Sequence, residues 1–143
     1  MATPPAVDFM FRPTRASDVT EIESIASRFA LRVPAGLTSA VDDPDQKLIT
    51  AVNSNGVVIG FLRFRKAPEG MQWVDLVVNP DFMKHEFKLA VLDQAKSAGE
   101  TIATTPGLIT GPWKTFVKEQ ARVLGFHVED VAPSNKKAII LHF

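Results

Sequence analysis

Apolar residues at positions 19, 22, 25, 26 and 29 (Val19, Ile22, Ile25, Ala26, Phe29) recur at helical spacing. They predict an amphipathic helix running from Ser17, a plausible N-cap, to about Arg32. Asp18 and Glu21 fall in its first turn, where negative charge suits the helix dipole. A short strand precedes it over residues 8–12, closed by Pro13, which cannot donate to a ladder. Residues 33–46, with Pro34, Gly36 and Pro44, read as a long loop or a short broken helix. Residues 47–52 and 57–64 are predicted strands, joined by Asn53-Ser54-Asn55-Gly56, and Asn-Gly between apolar runs is the strongest local hairpin signal. A second turn at residues 67–70 leads into a strand over residues 71–78. Asn79-Pro80-Asp81 then opens a helix whose apolar face is Phe87, Val91, Leu92 and Ala95, with Gly99 at its end. A strand over 101–105 follows, then a helix starting at Pro112 with Trp113, Phe116, Val117, Ala121 and Leu124 as its stripe. Residues 126–131 and 138–143 form two closing strands around the turn-rich Pro133-Ser134-Asn135.

The 143 residues fit one domain, 1–143, of the α+β (α/β) class. Sixteen basic and sixteen acidic residues cancel, so no net field draws the chain to nucleic acid or to an anionic membrane. Cysteine is absent, which excludes disulfides, thiol catalysis and cysteine-ligated metal. No apolar run approaches the ~20 residues of a membrane span. The opening residues lack the basic and apolar regions of a secretion signal, so the expected location is the cytoplasm, or a virion if the source is viral.

Four segments, in order, resemble the GNAT superfamily of N-acetyltransferases. Phe11-Arg12-Pro13-Thr14 with Ala16-Ser17-Asp18 is similar to its opening strand and helix start. Val57-Val58-Ile59-Gly60-Phe61 resembles its third strand, and Leu76-Val77-Val78-Asn79-Pro80-Asp81-Phe82 the fourth strand entering the cofactor loop. Leu124-Gly125-Phe126 is similar to the close of the last helix. The resemblance implies a mixed, mostly antiparallel sheet of six or seven strands, splayed after the fourth, with helices on both faces. It also implies an acetyl-CoA site around Val77, Val78, Met83, Lys84, His85, Phe87 and Lys88, if acetyl-CoA binds at all.

The site residues depart from the family pattern. The family places a CoA diphosphate on free N–H groups at a helix start, where glycine keeps Cβ atoms out of the way. Here Met83 stands at the Arg/Gln position, and Glu86 and Lys88 at the two small-residue positions. Two like charges about 4 Å apart at an effective dielectric of 20 repel by ~4 kcal/mol, roughly a thousandfold in affinity. The family's general-acid tyrosine aligns with Ala121, and the chain has no tyrosine anywhere. Its general-base glutamate aligns with Gln72, whose amide cannot take a proton from an ammonium. Asp75 is the one remaining carboxylate of that strand and a weak candidate base, with an exposed face or an ion pair as its ordinary role.

His127 and His142 lie in separate strands without metal-ligand spacing, so no metal is expected. Arg63-Phe64-Arg65-Lys66 is a basic patch better read as a solvated strand end than as a nucleic-acid site. The expectation is a catalytically degenerate GNAT-fold protein with no cofactor, acting as a structural or interaction protein through contacts with a protein partner, in a homo- or hetero-oligomer. Small podovirus virion proteins offer a loose likeness, through residues 114–126. The alternative is a divergent N-acyltransferase moving acetyl from acetyl-CoA to an amine. Exposed Met83 to Glu86 and the loop at 33–46 are the expected contact surfaces.

Overall fold

The computed structural model describes residues 9–68, 70–105, 108–109, 111–131 and 138–143. Seven strands, β1 (Phe9–Pro13), β2 (Gln46–Asn53), β3 (Val58–Ala67), β4 (Gly70–Val78), β5 (Thr101–Thr104), β6 (His127–Asp130) and β7 (Ile139–His142), make one sheet. Its order is β1-β2-β3-β4-β5-β7-β6, antiparallel except at β4–β5. Helices α1 (Val19–Arg28) and α2 (Leu37–Ala40) cover one face, and α3 (His85–Ala98) and α4 (Pro112–Leu124) the other. The predicted element order holds, except that Asn79-Pro80-Asp81 open a separate 3-10 turn (Pro80–Phe82) and α3 starts only at His85. Asp8, Glu69 and Pro133-Ser134-Asn135 lie outside the described residues.

Local chemistry explains the joints. At the β2–β3 turn the Asn53 side chain accepts from the N–H groups of Asn55 (2.9 Å) and Val57 (3.0 Å), and Gly56 supplies φ +78°. Before α1, Ser17 lies inside a single 3-10 turn (Ala16–Asp18) and does not cap the helix. Asp18 does the work there. Its carboxylate accepts two bonds from Arg12 (2.6 and 2.9 Å) and one from the Arg15 N–H (2.8 Å). Helix α1 stops at Arg28, short of the predicted Arg32, because Ala30 turns left-handed (φ 55°) and Leu31 N–H returns to the Ala26 carbonyl (2.8 Å).

The segment 33–46 folds back on its own domain. Leu37 and Ala40 of α2 are buried with Val19, Ile22, Phe61 and Val77, so its apolar side is spent internally.

The Arg12–Asp18 pair makes a testable contribution. The hydrogen bonds from Arg12, ahead of the burial that opposes them, hold the Asp18 carboxyl below its ordinary value. A carboxylate with a lowered native pKa stabilises above its unfolded pKa, and that contribution fades as pH falls below about 4. Asp18→Asn should cost about 2 kcal/mol at neutral pH and flatten the acid limb of a plot of Tm against pH. An unchanged acid limb would remove Asp18 from the account.

Candidate functional site

The sheet opens at β4. Only Met71, Gln72 and Trp73 pair with β5, opposite Ile102, Ala103 and Thr104. Residues 75–78 pair with β3 alone, so β4 and β5 diverge from Trp73 onward. A bulge at the same point shifts the β3–β4 register, Phe64 facing Trp73 while Arg63 faces Asp75. The extra residue reverses side-chain parity. Trp73, Leu76 and Val78 therefore face α3 and α4, while Asp75 and Val77 face α1 and α2.

On the α3 side the sheet is covered by the chain's own apolar side chains. Ile109, Phe116 and Val117 are buried in one continuous core with Trp73, Val78 and Phe87, and Phe82, Met83, Leu108 and Trp113 pack against it. The indole N–H of Trp73 donates to the Asp75 carbonyl at 3.0 Å, and Thr105 N–H donates to the Trp73 carbonyl at 3.0 Å. Backbone acceptors at the mouth are thus already used.

Helix α3 starts at this mouth. Its first helical bond runs from Lys88 N–H to Lys84 C=O, leaving the preceding N–H groups without helical partners. Lys84, His85 and Glu86 are exposed around them. Lys88 does not reach outward: its Nζ lies 4.8 Å from the centre of the Phe116 ring, a cation–π contact. The His85 ring stands edge-on to the same ring at 5.6 Å, and Trp113 meets it from another side at 6.0 Å. An aromatic cluster of His85, Phe116 and Trp113 thus joins the start of α3 to α4, with the Lys88 ammonium on the Phe116 ring.

On the opposite face Asp75 is buried at 4% exposure. Arg63 is its partner, with Nη1 at 3.4 Å. The same Nη1 donates to the Ala35 carbonyl at 2.6 Å, and Nε donates to Gln46 at 2.7 Å. Burial pushes the Asp75 carboxyl above its ordinary value, and Arg63, Arg32 and Arg65 only partly offset this. The long ion pair explains that ordering, since a 3.4 Å contact returns less than desolvation removes.

A scan against protein-family models gave no match, and neither did a search of curated proteins. Solved structures do match along nearly the whole chain. A phosphinothricin acetyltransferase of the GNAT superfamily from Sinorhizobium meliloti, in complex with acetyl-CoA, superposes at TM-score 0.65 with 13% identity, over 94% of this chain and 87% of that one. The PaiA N-acetyltransferase of Thermoplasma acidophilum, in complex with coenzyme A, gives 0.61 with 11% identity, over 96% and 100%. A GNAT-family acetyltransferase from Bacillus cereus gives 0.62 with 14% identity, over 94% and 96%. The chain has the GNAT fold. Identities this low speak for the fold alone.

In GNAT-fold terms the expected residues are dispersed. Val78, Phe87 and half-buried Met83 belong to the main core, Val77 to the α1 side, and Lys84 and His85 to the surface. Gln72 accepts from Arg65 (2.8 Å) and stands 3.5 Å from the Thr105 hydroxyl. Ala121 is buried on α4.

The expected basic patch is split by strand alternation. Arg63 and Phe64 are buried on opposite faces, and only Arg65 and Lys66 are exposed. Arg63 is the site residue that sequence reasoning missed, and its place two residues after buried Phe61 was the available signal. His127 and His142 prove to be cross-strand neighbours with stacked rings 5.6 Å apart, and His142 contacts Glu129 at 3.0 Å. Among the described residues no group of three or more such side chains is placed to hold a metal ion. No described helix is long and apolar enough to cross a membrane.

Proposed function

We propose that this chain is a catalytically degenerate GNAT-fold protein that acts through contacts with other protein chains, as a structural or interaction component such as a phage particle uses. The observation that carries the reading is the start of α3. Glu86 stands exposed at the first turn and Lys88 is folded onto Phe116, where the fold's enzymes need small residues for a diphosphate. The residues present do not fit acetyl-CoA. Gln72 and Ala121, at the base and acid positions, carry no group that moves a proton.

The second reading, a divergent N-acyltransferase acting on an amine, has one observation in its favour. Asp75 is a buried carboxyl with a raised pKa beside the splay, a property that general bases share. Against it, the carboxylate is held by Arg63. Thermal unfolding with millimolar acetyl-CoA separates the two. A ligand at 100 times its Kd adds about 2.7 kcal/mol, a shift of several degrees. The degenerate reading expects no shift, and a shift of that size would replace it with the acyltransferase reading.

A further inference from the structure

The most exposed hydrophobic side chains of the described surface include an adjacent pair at the end of α4, Val123 at 74% and Leu124 at 61% exposure. Beside them a groove of about 270 Å³ runs between α3 and the start of β6, floored by Leu89, Leu92, Phe126 and Phe143. Leu124 forms one wall of this groove while standing largely in solvent. The strip therefore carries both an apolar projection and an apolar recess. Asp93 and Lys96 line the same groove from α3. Both are exposed, and among the described residues neither is in an ion pair.

We infer that this groove is the contact between two copies of the chain, related by a two-fold axis. The inference rests on the reading of the protein as an interaction component and gives that reading a partner: itself. A two-fold contact presents the same patch from both sides, so the patch must complement its own image. An axis crossing α3 between Asp93 and Lys96 sets each Asp93 against the Lys96 of the second copy, twice over. Leu124 lines the same groove, so its apolar surface falls within the same strip. An unrelated partner would need no such match within one strip. Contiguous exposed apolar surface with a charged rim is the usual mark of an association site.

Sedimentation equilibrium on the full chain at about 100 μM tests this, since a specific contact of ordinary size assembles at that concentration. The wild type is expected to be a dimer. Leu124→Asp should raise its dissociation constant by about tenfold or more, with helix content by circular dichroism unchanged because the side chain is already exposed. Asp93→Lys and Lys96→Asp should each weaken the dimer by about tenfold, because in a two-fold contact one substitution creates two like-charge pairs. The double variant Asp93→Lys/Lys96→Asp restores both pairs with reversed sign and should recover wild-type association. A monomeric wild type overturns the inference, and so do single charge variants that dissociate without rescue by the double. Acetyl-CoA binding is a separate measurement. A monomer that ignores acetyl-CoA removes only the dimer, whereas a dimer that binds it removes the reading on which the dimer rests.

Discussion

Arg63→Ala is expected to cost about 3–5 kcal/mol, because it leaves the Asp75 carboxylate buried without its counter-charge. Asp75 is already held above its ordinary pKa by burial, so it has little tolerance for further loss. The substitution also strips the donors from the Ala35 carbonyl and the Gln46 side chain, which tie the segment before β2 to the sheet. Three acceptors thus lose one guanidinium. The protein can answer by protonating Asp75, which gives the prediction a pH signature. A group with a raised native pKa contributes stability that is fully present below its unfolded pKa and lost as pH rises through the native value. In Arg63→Ala the native pKa rises further, so the deficit against wild type should be smallest in acid and grow toward neutral pH. The paired replacement Arg63→Leu/Asp75→Leu should recover much of the loss, since apolar residues of similar size often serve as well as a buried ion pair. Urea unfolding of the three proteins at two pH values decides it. A loss under 1 kcal/mol for Arg63→Ala would show that the hub is solvated and contributes little.

The elements fixed by local chemistry were legible in the sequence. Helical spacing placed the buried faces of α1 and α3 and most of that of α4, where Leu124, expected in the stripe, is instead 61% exposed at the helix end, and Asn55-Gly56 placed the hairpin. What escaped depends on partners distant in sequence. The end of α1 was misplaced because an alanine, not a glycine, takes the left-handed turn at residue 30. Arg63 read as part of a solvated basic run because its partner lies in another strand, in a register set by a bulge at Val74 with no local signature. His127 and His142 are 15 positions apart and yet face each other, again through strand register. The loop at 33–46 looked suited to docking because its acidic residues are local, whereas the burial of Leu37 and Ala40 is a tertiary event. Residues matched to the family motif were read one by one, and the aromatic cap of Lys88 on Phe116 emerged only when α3 and α4 were brought together.

The unmodified protein is expected to bind acetyl-CoA with a Kd no tighter than about millimolar. Glu86 is exposed, so water screens part of the repulsion that a dry contact would impose. Obstruction supplies the rest. Ile109 and Phe116 are buried in the core on the α3 side of the sheet, and the Trp73 indole and Thr105 amide take backbone acceptors at the mouth of the splay. A cofactor would have to displace that packing, and large aromatic side chains in a core are costly to move, at about 3–5 kcal/mol for removal of one. Either term alone weakens binding by orders of magnitude, at about 1.4 kcal/mol for each tenfold. Isothermal titration of the protein with acetyl-CoA measures this directly. The account predicts no saturable heat below about millimolar cofactor, and a micromolar Kd would falsify it.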